Sequence, residues 1–274
     1  MSKHILITGS TDGIGRETAK VLASRGYEIT IHGRSQRRVE DTVKEIERRS
    51  PGVVVHGVTA DLSSLAQVKE MAGRVKEGPR VDVLLNNAGI VAHSFQLSED
   101  GYEMTLAVNH LGHVYLTLLL LDHLQEPARI VNVSSMVHAT SIDIERLNDP
   151  RYFEPVAAYA RSKLCNVLFT YKLHQLLHER RQVTVNCLHP GVINTKVLTG
   201  TWGAVGAPVS EGSRMTVYVA ADPSLEKVSG AYFENGTQRP SAEISYDERV
   251  QDLCWERSLE MIRRAGFEVE EPAE

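Results

Sequence analysis

The feature that most constrains this chain is an alternation of short apolar runs with longer amphipathic ones, starting at the first residues. His4-Ile5-Leu6-Ile7 reads as a buried strand, Thr8-Gly9-Ser10-Thr11-Asp12-Gly13-Ile14-Gly15 as a tight loop, and Arg16 to Arg25 as a helix stopped by Gly26. The pattern recurs, with strands expected at 28–32, 53–58, 81–85, 129–134, 183–188 and 230–234. Helices are expected at 37–49, from about 63, at 99–124, 156–177, 210–221 and 247–264. Strands and helices in strict alternation fold as one parallel sheet with helices on both faces, a doubly wound α/β architecture. No repeat or linker divides residues 1–266, so a single domain is expected. Residues 196–210 are glycine-rich and aperiodic and are expected to form a mobile lid; the acidic stretch 267–274 is expected to fray.

Composition narrows the function classes. The chain has 274 residues, 42% apolar and 24% charged, which suits a soluble globular protein with a sizeable core. A net charge of −5 argues against nucleic-acid binding, which needs a basic face. Cys165, Cys187 and Cys254 form no CxxC or zinc pattern, so they read as reduced thiols, and no metal site is expected. Met1-Ser2-Lys3 leads directly into a strand with no signal-peptide pattern, and the run Leu116 to Leu121 is too short to span a bilayer. The expectation is a cytoplasmic protein without a membrane span.

Several stretches carry chemistry. Gly9, Ser10, Thr11, Asp12, Gly13, Ile14 and Gly15 lie between a strand and a helix. Glycines let a pyrophosphate approach the backbone there, and the helix N-terminus offers unpaired N–H groups. After the second strand comes Gly33-Arg34-Ser35 with no acid to hold a ribose 2′-hydroxyl. The Arg34 guanidinium suits a 2′-phosphate, so the sequence favours NADP over NAD; Arg37 and Arg38 are possible helpers. Asp61-Leu62 follows the third strand, where Asp61 has two roles open to it: accepting from an adenine amine or capping the next helix. Asn86-Asn87-Ala88-Gly89 ends the fourth strand, where open α/β sheets bind ligands and where amides also pin adjacent strands. Asn109 is a polar residue in an apolar helix and needs partners. Tyr159 and Lys163 sit four apart on a helix and so share a face. A cation beside a phenol lowers its pKa from about 10 towards the range that acid–base catalysis uses.

In this order and spacing, Thr8-Gly9 with Gly13 and Gly15, Asp61, Asn86-Asn87-Ala88-Gly89, Asn109, Ser135, Tyr159 with Lys163, and Pro190-Gly191 with Thr195 resemble the short-chain dehydrogenase/reductase family over nearly the whole chain. Arg-Ile-Val-Asn-Val-Ser-Ser (129–135), His-Pro-Gly-Val (189–192) and the segments 239–241 and 255–258 resemble its retinol-dehydrogenase-like branch. The resemblance implies a Rossmann-like sheet and hydride exchange between NADP and an alcohol or its carbonyl. The substrate would be a lipophilic small molecule, and a homo-oligomer is possible. It implies that Tyr159 passes the proton, that Lys163 lowers the Tyr159 pKa and binds the nicotinamide ribose, and that Ser135 bonds the reacting oxygen. Asn109 would hold a water beyond Lys163, Pro190, Val192 and Thr195 would orient the nicotinamide amide, and Asn87, Ala88 and Gly89 would line the cofactor site. A catalytically silent dinucleotide sensor on the same fold is the alternative.

Overall fold

The computed structural model describes residues 2–203 and 205–272. Its core is an eight-stranded sheet in the order β3-β2-β1-β4-β5-β6-β7-β8. The strands are β1 (His4–Ile7), β2 (Glu28–Gly33), β3 (Val55–Thr59), β4 (Val81–Asn86), β5 (Leu124–Val133), β6 (Val183–Leu188), β7 (Ala231–Glu234) and β8 (Thr237–Arg239). Strands β1 to β7 run parallel, and β8 closes the edge antiparallel to β7. The fold is the single doubly wound, Rossmann-like α/β domain that the alternation predicts.

Strand side chains divide between the two faces. Leu6, Leu84, Ile130 and Val185 meet one core with α3 (Leu65–Lys76), α5 (Gly112–Leu120), α6 (Pro155–Leu177) and α9 (Glu248–Arg264). Ile5, Ile7, Ile29, Ile31, Leu85 and Val131 meet the other with α1 (Gly13–Ser24), α2 (Gln36–Arg49) and α8 (Val209–Ala221). A strand points successive side chains to opposite faces, so a sheet covered on both sides needs continuous apolar runs. Each fully buried Val, Leu or Ile contributes about 1.5–3 kcal/mol.

One expected boundary is corrected, and two further segments carry local structure. The helix expected at 99–124 starts later, as α4 (Met104–Leu106), a π turn (Ala107–Leu111) and α5 in succession. Glu103 sets the start, its carboxylate accepting from the Thr105 and Leu106 N–H groups at 2.8 Å each. This run, Met104–His123, is long and apolar enough to cross a membrane by length and composition, but 89% of its most apolar window is buried inside the fold.

The expected lid contains a helix, α7 (Lys196–Trp202), capped by Thr195 and ended by left-handed Gly203. Beyond it, Ala207 N donates to Val192 O and Asn194 N to Ala207 O, both at 2.8 Å. A Cβ at Gly206 would stand 2.5 Å from Val192 O, so glycine there permits close packing rather than looseness. Ala204 of this segment lies outside the described residues.

The expected frayed tail docks over its first residues. Phe267 and Val269 pack on the α5/α9 core, and Glu271 accepts from Trp255 Nε1 at 3.1 Å and pairs with Arg263 at 2.6 Å. The Glu271 charge is thus used in pairing. Ala273 and Glu274 lie outside the described residues.

Candidate active site

The loop after β1 is held from below by two neutral histidines. Thr8 Oγ1 accepts from Asn87 N at 2.8 Å and Ala88 N at 3.0 Å, and lies 2.9 Å from His113 Nε2. His113 Nδ1 is 3.1 Å from Asn109 O, a pure acceptor, so its proton sits on Nδ1 and Nε2 receives the Thr8 hydroxyl. His32 Nδ1 accepts from Gly9 N at 3.1 Å while Nε2 donates to Ala60 O at 3.1 Å. Burial lowers both imidazoles, His32 to about 4 and His113 to about 3. The loop glycines allow the contact itself. Gly9 has φ +65°, and a Cβ on it would lie 2.8 Å from Ala88 Cα, while one on Gly15 would lie 2.5 Å from Asn87 Nδ2.

The expected dinucleotide residues mostly converge on one cleft of about 1300 Å³. Gly9, Thr11, Asp12, Gly13, Ile14, Gly15, Arg34, Asp61, Leu62, Asn87, Ala88, Gly89, Pro190, Val192 and Thr195 all line it. Ser10 does not. It is fully buried, its hydroxyl donating to Ile7 O at 2.8 Å and accepting from His32 N at 2.9 Å, so it braces the loop against β2.

Asn86 does the strand pinning, donating to Thr117 Oγ1 and Asn132 Oδ1 at 2.9 Å each; Asn87 is the cleft amide and donates to Thr8 O at 2.8 Å. Asp61 Oδ1 accepts from Ser63 N, so it shapes the turn before α3, while Ser64 is the cap. Arg34 stands exposed at the rim, 3.8 Å from Asp61. Arg38 donates to Thr11 O at 3.1 Å and pairs with Asp12 at 3.0 Å, whereas Arg37 pairs outwards with Asp41. Lys196, which belongs to no motif, reaches Asp12 at 2.6 Å from α7.

Tyr159, Lys163 and Ser135 meet at the other end. Glu154 caps α6 and Pro155 opens it, which sets the helix phase that turns Tyr159 and Lys163 inwards. Ser134 Oγ donates to Lys163 O at 2.8 Å and faces the helix; Ser135 is the serine hydrogen-bonded to Tyr159.

Burial opposes the expected pairing of the Tyr159 phenol with the Lys163 cation. Burial pushes the Tyr159 phenol up to about 12, with only the Ser135 hydrogen bond drawing it down, and burial lowers Lys163 to about 8. Lys163 Nζ donates to Val133 O at 2.9 Å and lies 5.6 Å from the centre of the Tyr159 ring. Trp202 meets the same ring edge-on at 5.9 Å.

Asn109 lies behind the cleft rather than on it. Its Oδ1 accepts from Ile90 N at 2.8 Å and its Nδ2 donates to Ile90 O and Ser162 Oγ at 3.0 Å each. Its backbone carbonyl takes His113. Both ends of the amide are thus anchored to protein. The π turn that presents it has no signature in the sequence.

A family model described as short chain dehydrogenase matches residues 3–203. The chain belongs to the short chain dehydrogenase family. It is 38% identical to human Retinol dehydrogenase 13, over 95% of this chain and 84% of that protein. It is 35% identical to human Polyprenol dehydrogenase, over 93% and 84%. A short chain dehydrogenase from Burkholderia cenocepacia J2315, solved in complex with NADP, superposes with a TM-score of 0.68 at 27% identity, covering 84% of this chain and 95% of the other. These relatives put the chain in the retinol-dehydrogenase-like branch of this family of oxidoreductases.

Proposed function

We propose that this short chain dehydrogenase uses NADP(H) to interconvert a lipophilic alcohol and its aldehyde or ketone. The observation that carries the reading is the meeting of Tyr159, Ser135 and Lys163 in one cleft with the glycine loop. A dinucleotide suits the other end: close-packed glycines and the first turn of α1 line it, and the exposed Arg34 guanidinium at its rim would pair with a 2′-phosphate. The NADP in the Burkholderia relative supports the same cofactor.

When bound, the cofactor supplies or accepts the hydride. The protein handles the proton. With its phenol pushed up to about 12, Tyr159 carries a proton at neutral pH, the form that gives it to a carbonyl oxygen; alcohol oxidation needs the phenolate and so gains with rising pH. Ser135 donates to the oxygen on which charge develops. Lys163 remains a cation below about 8 and steadies the phenolate left behind. Asn109 is a positioning residue that holds the Ile90 segment and, through Ser162, the helix turn bearing Tyr159. Met136, Val137, Val192 and Trp202 expose apolar surface around the reacting end, which suits a hydrophobic substrate. The relatives named for retinol and polyprenol support this class.

The test is NADPH and NADH consumption over retinal, aliphatic and aromatic aldehydes, ketosteroids and quinones, with Tyr159→Phe alongside. Turnover preferring NADPH and falling about 10²–10⁴-fold in the variant, with unchanged cofactor affinity, is expected. Near-normal rates in Tyr159→Phe would remove the assigned acid. Cofactor binding with no turnover on any carbonyl would favour a dinucleotide sensor instead.

A further inference from the structure

Away from the cleft, three side chains suited to soft-metal chemistry converge. His110 on the π turn, Cys165 on α6 and Cys254 on α9 are all buried, and their donor atoms lie within 4.8 Å of one another. Cys254 is within hydrogen-bond reach of both Cys165 and His110. The proton positions follow from the neighbours. Asn166 Nδ2 donates to Val133 O at 3.3 Å, so its Oδ1 accepts from His110 Nδ1–H at 3.2 Å. His110 Nε2 therefore carries a lone pair. The nearby Ser258 hydroxyl has one proton and two acceptors, His110 Nε2 at 2.8 Å and Cys254 O at 2.7 Å, and can serve only one.

We propose that His110 Nε2, Cys165 Sγ and Cys254 Sγ bind a thiophilic divalent cation of the Zn²⁺ class, with the Ser258 hydroxyl at the fourth corner. Thiolate and imidazole donors select such ions, and tetrahedral sites with metal bonds of about 2.0–2.3 Å place donors roughly 3.3–3.8 Å apart. Donors already within 4.8 Å need only small side-chain rotations to reach that spacing. Binding releases two thiol protons to solvent and forms two metal–sulfur bonds. The two thiolates cancel the cation's charge, which removes the main cost of burying it. Asn166 fixes the imidazole tautomer, as an outer partner does in metal sites.

Such an ion would tie together three elements. Cys165 lies two residues beyond Lys163, and His110 follows Asn109. Val133 O, the acceptor for Lys163, also accepts from Asn166, the orienting partner of His110. The proposal does not depend on the substrate or direction of the reaction.

The test is Cd²⁺ and Zn²⁺ titration of the full chain after reduction and chelator treatment. A thiolate-to-cadmium ultraviolet band saturating at one equivalent is expected, with a melting temperature that rises with free metal. Cys254→Ser, near-isosteric and checked for a wild-type melt without metal, should lose the band, as should Cys165→Ala. Cys187→Ser should keep it, since Cys187 packs in a separate cluster with Tyr171 and Tyr232. His110→Gln should weaken binding at least about tenfold. No band in the wild type would overturn the proposal, as would a band that survives in both Cys254→Ser and Cys165→Ala. One free thiol of the three in the protein as isolated, counted after unfolding in chelator without reductant, would also overturn it, since two cysteines would then be joined as a disulfide.

Discussion

At the glycine-loop end, the cleft is bounded by atoms that already have partners; at the reacting end it is bounded by apolar side chains facing water. Thr8, Ser10, His32, Asn87 and His113 bond to one another and to the loop backbone. Met136 and Val192, by contrast, are 52% and 50% exposed, and Trp202 touches Tyr159 only by its ring edge. The first end is organised before any ligand arrives and suits one fixed partner. The second gains affinity by covering apolar area and tolerates ligands of different shape.

Acid should break the first end. His32 and His113 are neutral in the folded chain, held at about 4 and about 3, whereas an unfolded chain protonates them near 6.5. The unfolded state therefore binds more protons between these values. The stability they contribute is complete above about 6.5 and is lost as pH falls towards the folded values. At pH 5 the loss is about 2 kcal/mol per histidine, or about 4 together. Urea unfolding at pH 7.5 and 5.0 measures it, and an unchanged midpoint would mean that these rings do not brace the loop.

The rim of the same end can be tested separately. Arg34→Ala should weaken NADPH by about 10–100-fold, the loss of charge-assisted bonds worth about 1.5–3 kcal/mol, and leave NADH unchanged by equilibrium fluorescence. Equal losses for both would take the 2′-phosphate away from Arg34. At the other end, Trp202→Ala should raise KM for long apolar substrates only a few-fold, in line with about 0.5–1.5 kcal/mol for an aromatic pair. Nucleotide affinity should not move. If it falls as much as substrate affinity, the two ends are not separable.

The sheet, its two faces and most of the cleft were legible in the sequence because they follow from local patterns. Apolar runs of four to six residues gave the strands, and residues at strand ends fell into the cleft. What was not legible depends on distant contacts. Ser10 belongs to the same loop as Gly9 and Gly13 yet points into the protein because His32, on the neighbouring strand, needs an acceptor. The Tyr159–Lys163 spacing correctly gave a shared face, but not the carbonyl of Val133 that claims the ammonium. Helix α7 has no apolar period because its residues pack on the cleft rim instead of a core, and Phe267 docks on Tyr115 from 152 positions away (267 − 115).

The π turn at Ala107–Leu111 gives this helix one residue more than its hydrogen-bond period would seat. In the gene this is a surplus of a single codon. Removing one residue would turn everything on one side by about 100° relative to the other. Asn109 and His113 would then lose their shared bearing on Ile90 and Thr8. A single residue therefore sets the rotational register on which both the site and the core packing of α5 depend.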